Sequence, residues 1–259
     1  MQPRVRYTRA HDGIRIDTPM IPLRDENPTK RIPFVTVSFI VANVAAFAYE
    51  LSLADAALFE FIETWAFNPA RFAADPTSPA VLVTFVTAMF LHGGWLHLGG
   101  NMLYLWIFGN NIEDRYGPVR FIAFYLGTGI AATLAHVAVE GAADVPLLGA
   151  SGAIAGVLGA YLLLYPKTRV MVAIPIFFII ELAKVPAAFV IGFWFLMQVV
   201  QGIGSISPEA TAGGVAWWAH IGGFVAGMAV TIPGWLAARR RRRKKQKPKP
   251  KQQQFTTYR

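Results

Sequence analysis

Long apolar stretches constrain this chain more than any other feature. A helix needs about 20 mostly apolar residues to cross a hydrocarbon core of about 30 Å, and several segments of the 259-residue chain meet that demand. Composition agrees: 54% of residues are hydrophobic and 15% charged, where an ordinary soluble domain has about 25% charged. This is the pattern of a polytopic membrane protein. The net charge of +9 does not change that, because ten basic residues fall between Arg239 and Lys251 and leave the body near neutral. Basic residues collected in a tail, rather than spread over a polar face, argue against a nucleic-acid partner. Cys 0 removes disulfides and thiol chemistry. The first thirty or so residues are polar, from Arg4 and Arg6 to Lys30 and Arg31, so no secretory leader is expected there.

An all-α membrane fold with six spans is predicted, at about Phe34–Glu50, Trp95–Ile112, Pro118–Val139, Leu147–Tyr165, Pro186–Ile203 and Gly213–Leu236. Residues 1–33 form a polar cytoplasmic segment, 34–236 the membrane domain and 237–259 a basic disordered tail. The apolar run Pro79–Leu91 is only about 13 residues, too short for a span, and reads as a partly inserted or interfacial element in the loop after the first span. Met171–Ile180 is apolar but interrupted by Pro175 and followed by Glu181 and Lys184, so the fifth span starts after it.

Loop charges orient the bundle. The loops after the second and fourth spans carry Arg115, Arg120, Lys167, Arg169 and Lys184, and both termini are basic. The other loops hold one basic residue, Arg71, with acids such as Glu140, Asp144 and Glu209. Lys and Arg stay cytoplasmic, which places both termini inside, and spans two, four and six then all run from outside to inside. The setting is a cell membrane. The tail suits anionic lipid headgroups.

Polar groups inside a membrane are costly and mark function by default. Span two has His97 and Asn101, one helical turn apart; span four has Ser151 in Gly149-Ala150-Ser151-Gly152; span six has His220. At 1.5 Å per residue these lie roughly 3–10 Å below the outer helix ends. A hydroxyl, an imidazole and an amide at one depth supply a nucleophile, a base and an oxyanion donor. Close helix approach needs small residues: on span four Ser151, Ala155 and Gly159 share one stripe, flanked by Gly152, Gly156 and Ala160, and on span six His220, Gly223 and Gly227 share another. Taken singly, each feature has a plainer reading: serine and glycine as packing, histidine and asparagine as interhelical hydrogen bonds. The conjunction at one depth is what argues for chemistry. His136 reads as an interfacial histidine, Asn43 and Gln198 as interhelical hydrogen bonds without polar companions, and Glu113 with Arg115 as an ion pair or cap at a turn.

The motifs His92-Gly-Gly-Trp-Leu-His97-Leu-Gly-Gly-Asn101, Glu113-Asp-Arg115-Tyr-Gly117, Gly149-Ala150-Ser151-Gly152 and Ala219-His220-Ile-Gly-Gly223 with Gly227 resemble those of the rhomboid family of intramembrane serine proteases. Order and spacing agree from the second span to the sixth. The resemblance implies a dyad of Ser151 as nucleophile and His220 as general base. His97, Asn101 and the Ser151 backbone N–H would form the oxyanion hole, with Gly149, Gly152, Gly223 and Gly227 supporting the packing. It implies substrates that are transmembrane segments of other proteins, cut near the outer face, and a capping loop at Gly204–Ala212. Two departures stand out. Many relatives have an aromatic residue four positions after the serine, packed on the histidine ring; here it is Ala155, which leaves Trp217 and Trp218 as candidates for that support. The Trp-Arg pair of some members appears as Val83-Thr84.

Two other classes of function compete. A catalytically inactive rhomboid-like factor that binds and traffics membrane proteins would be expected to lack Ser151 or His220. A transporter using the two histidines as a relay would want an acid in mid-membrane. No cofactor or metal is expected, since His-Glu-x-x-His is absent.

Overall fold

Apolar helices need length to cross a bilayer, and the computed structural model sorts the segments by it. The structure describes residues 21–176, 178–206 and 215–246. Among the described residues four helices are long and apolar enough to span: α1 (Phe34–Ser52), then three more at Pro118–Glu140, Ala187–Ser205 and Trp217–Arg241. Between α1 and the next of these lie short helices α2 (Asp55–Trp65) and α3 (Pro69–Ala74), then α4 (Pro79–Thr87) with one 3-10 turn to Phe90. α5 (Trp95–Tyr104) continues through a π-helical turn at Leu105–Gly109 into α6 (Asn110–Tyr116). The Pro79–Phe90 and Trp95–Tyr116 segments meet at 82°, a broken pair that counts as a fifth span if taken as one.

The bundle is completed by α7 (Pro118–Glu140), α8 (Ser151–Leu164), α9 (Ala187–Ser205) and α10 (Trp217–Gln246). α8 is the central element. All nine residues from Ala153 to Tyr161 are buried, as expected for a helix that is apolar all round. Its 14 residues extend about 21 Å, short of a hydrocarbon core of about 30 Å. α10 packs chiefly on α8 and α7. A Cβ on Gly223 or Gly227 would run into the backbone carbonyls of Gly152 and Gly156, so α8 and α10 meet backbone to backbone.

The fold is mostly helical but not all-α. Strand β1 (Ile21–Asp25) pairs antiparallel with β2 (Arg169–Ile176), which pairs with β3 (Ile179–Pro186). The interrupted apolar run before the fifth span is this hairpin. Eight residues suffice for a strand but not for a span. Val170 and Val172 alternate inward and are fully buried. Glu26 and Lys184 form a surface ion pair across the sheet. At the other end, α10 continues unbroken through the basic run to Gln246, where sequence predicts a disordered tail from 237. Arg and Lys are good helix formers, and cations favour a helix C-terminus. Residues 1–20 and 247–259 lie outside the described residues.

Glu113 is a cap. Its carboxylate accepts the Val35 and Thr36 backbone N–H groups at 2.9 and 2.8 Å and the Thr36 hydroxyl at 2.7 Å. It thereby satisfies the free donors of the α1 N-terminus and does not pair with Arg115.

Candidate active site

Ser151 opens α8, so its backbone N–H is one of the donors that a helix leaves unpaired in its first turn. The loop ahead of it is pinned. Leu147 and Phe67 exchange backbone hydrogen bonds at 2.7 and 3.0 Å, and the Gly149 N–H donates to the Ala88 carbonyl at 2.8 Å. Gly149 has φ +122°, and a Cβ there would fall 2.7 Å from His97 Nε2. Both conditions demand glycine.

His220 comes from the first turn of α10. Its Nε2 lies 2.8 Å from Ser151 Oγ, and its Nδ1 lies 2.7 Å from Gln198 Oε1 on α9. Gln198 is buried, and its Nε2 donates to the Trp194 carbonyl at 3.1 Å. That bond fixes the amide with its oxygen toward the imidazole. The residue therefore has a polar companion that sequence cannot supply, because its partner sits on another helix. Ring support also differs from expectation. The Trp194 ring stands 5.9 Å from the His220 ring at 37°, and Trp217 meets it edge-on at 6.2 Å. Trp217 is one of the two sequence candidates, and Trp194 was not. Ala155 is buried in the bundle core.

His97 and Asn101 converge on the backbone just ahead of Ser151. The position a Gly149 Cβ would take lies 2.7 Å from His97 Nε2 and 3.7 Å from Asn101 Nδ2. The Gly93 N–H donates to His97 Nδ1 at 3.3 Å, which in the neutral ring leaves Nε2 as the protonated donor. Asn101 Nδ2 lies 3.0 Å from His92 Nε2, and the His92 backbone N–H reaches the buried Glu50 carboxylate at 3.3 Å. Glu50, His92 and Asn101 thus form a chain from α1 into the site. Of the singled-out polar residues outside it, Asn43 bonds only within its own helix, to the Phe39 carbonyl at 2.7 Å. His136 is buried near the C-terminal end of α7. Val83 and Thr84 lie on α4, and Thr84 turns back to the Val81 carbonyl at 2.6 Å. The 204–212 capping loop falls mostly outside the described residues.

A hydroxyl against an imidazole, itself held by an amide and flanked by a second imidazole–amide pair, holds the groups that acyl transfer requires: a nucleophile, a base and donors for an oxyanion. The model of the Rhomboid domain matches residues 79–237, which contain every one of these side chains except Glu50. The chain belongs to the rhomboid family. It is 29% identical over 170 residues to Rhomboid protein 1, mitochondrial, of Saccharomyces cerevisiae, covering 61% of this chain and 42% of that one. It is 34% identical over 154 residues to Rhomboid protease GluP of Bacillus subtilis, covering 57% and 26%. RHOMBOID-like protein 5 of Arabidopsis thaliana is 36% identical over 77 residues, 30% of this chain and 25% of that one. The chain therefore spans less than half the length of these curated relatives. As a rhomboid it is a membrane protein of an intramembrane-protease type of family.

Proposed function

We propose that this rhomboid is an intramembrane serine endopeptidase that cleaves transmembrane segments of other proteins through Ser151 and His220. The observation that carries the reading is the 2.8 Å contact from Ser151 Oγ to His220 Nε2, with Nδ1 engaged by Gln198. Nδ1–H donates to Gln198 Oε1, so Nε2 is bare and accepts the Ser151 proton as Oγ attacks the scissile carbonyl. The oxyanion meets the Ser151 N–H, His97 Nε2–H and the Asn101 amide hydrogen not directed at His92. His220 then hands its proton to the leaving amine, and a water deacylates Ser151 by the reverse path.

Six crossings with both termini cytoplasmic, in a bacterial inner membrane, complete the proposal. Loop charge supports this orientation, and α8 then crosses despite its length, leaving Ser151 recessed from the outer face. Residues 34–236 act as the membrane domain, and α10 carries its basic run toward anionic lipid.

The test uses the full chain reconstituted with a model transmembrane substrate. Ser151→Ala and His220→Ala are each expected to abolish cleavage and fluorophosphonate labelling, with the melting profile kept. Cleavage by either variant would overturn the assignment. An unlabelled, inactive wild type would favour the non-catalytic binding factor.

A further inference from the structure

A cavity of 710 Å³ opens between α7 and α10, at the end of the bundle away from Ser151. Its floor reaches Leu164, the last residue of α8. Ala123, Gly127 and Ala131 of α7 form one wall, and Ala226, Val230 and Gly234 of α10 the other. These walls are mostly apolar, with Thr128 and Thr231 as their polar members. The mouth is different: Arg115 and Arg120 line it beside Tyr116 and Trp235. The Arg239 guanidinium stacks on Trp235, 4.6 Å from the ring centroid. Both Arg115 and Arg120 are exposed, and neither forms an ion pair among the described residues. Of the acids beside Arg115 in sequence, Glu113 is engaged at the α1 N-terminus, and neither it nor Asp114 is in an ion pair with Arg115 or Arg120 among the described residues. Arg120 also sits in the first turn of α7, where the helix dipole makes a cation unwelcome and an anion welcome.

A mostly apolar groove between two helices, ending at two exposed arginines without ion-pair partners among the described residues and at a tryptophan, has the polarity profile of one phospholipid. We infer that this cavity is a binding site for a phospholipid with an anionic headgroup, its acyl chain between α7 and α10 and its phosphate at Arg115 and Arg120. A zwitterionic lipid matches the slot but brings no net charge to the two arginines, which lack ion-pair partners among the described residues, so headgroup charge sets the preference. The inference does not depend on catalysis by Ser151.

The experiment is native mass spectrometry of the full chain released from detergent containing dioleoylphosphatidylglycerol or dioleoylphosphatidylcholine. The wild type is expected to retain one phosphatidylglycerol in preference to phosphatidylcholine. Arg115→Gln with Arg120→Gln should cut phosphatidylglycerol occupancy about 30-fold, as for two basic residues lost beside an anionic headgroup, and leave phosphatidylcholine unchanged. Gly127→Leu should lower retention of both lipids, because a Cβ at Gly127 meets nothing within 4 Å and the larger side chain grows into the slot. Unchanged phosphatidylglycerol preference in the arginine variant would assign it to the basic run of α10 and overturn the proposal. So would undiminished retention in Gly127→Leu.

Discussion

An imidazole that is to take a proton from Ser151 must present a bare Nε2, and in the neutral ring that puts the hydrogen on Nδ1. Gln198 Oε1, at 2.7 Å, is the acceptor that selects this tautomer. An amide is a weaker partner than a carboxylate because it orients the ring without stabilising the imidazolium by charge. Gln198→Leu is expected to lower kcat about 10-fold, the worth of one neutral hydrogen bond of about 1.4 kcal/mol, with KM little changed. Gln198→Glu should recover the rate and move the acidic limb of the pH–rate profile upward, since a neighbouring carboxylate favours the protonated ring. A purely space-filling role predicts neither the rescue nor the moved limb, so the profile of the two variants decides. Ser151 and His220 were legible in sequence as a pair, because the span pattern puts a hydroxyl and an imidazole at one depth on non-adjacent helices. Gln198 was visible as a buried polar group, but its partner is set by how α9 leans on α10, which no local pattern encodes. Trp194 was hidden among the other aromatics of α9 for the same reason.

Helix pairing, rather than helix formation, is what brings Ser151 and His220 together. α8 and α10 approach until Gly227 touches the Gly156 carbonyl and Gly223 that of Gly152. Gly227→Ala must push these backbones apart, and the expected loss is roughly 2–3 kcal/mol, typical of overpacking in a tight interior. Gly192 on α9 is the control, because a Cβ there meets nothing within 4 Å. Gly192→Ala should be neutral or stabilising by up to about 1 kcal/mol from helix propensity. Reversible unfolding in mixed micelles measures both, and equal effects would show that the glycine contact does not hold the pair. The small-residue spacing made this interface readable in advance. The hairpin was not readable, because β2 pairs with a strand some 145 residues earlier in a segment that reads only as polar. Helix α10 likewise overran its predicted end, since nothing in the arginine run stops a helix before the prolines at 248 and 250.

The bundle is tied together at the end away from Ser151 by a polar node on β1. Asp25 Oδ2 accepts the Tyr161 hydroxyl of α8 at 2.5 Å and the Asn111 amide of α6 at 2.8 Å. Burial holds the Asp25 carboxyl above the usual carboxylate range, against the lowering effect of those hydrogen bonds. The folded state therefore keeps a proton that the unfolded chain has released, and stability declines as pH rises from about 4 through the raised value. Asp25→Asn retains an acceptor oxygen for both donors and should flatten that limb of a stability–pH curve. An unchanged slope would assign the dependence elsewhere. The largest-scale question is whether α8, 14 residues long, crosses at all, because the side on which Ser151 opens depends on it. If it crosses, the turn before it and the hairpin after it face opposite compartments. If it does not, both face the same one, and Ser151 loses its place among parallel descending helices. With no native cysteine in the chain, single exposed positions report without background. In intact cells an impermeant maleimide should label Ala142→Cys at once and Glu181→Cys only after permeabilisation. Both labelling together would remove the crossing of α8, and the reverse order would turn the site toward the cytoplasm. Either result would leave the 2.8 Å contact standing but would break the proposal that cleavage takes place near the outer face.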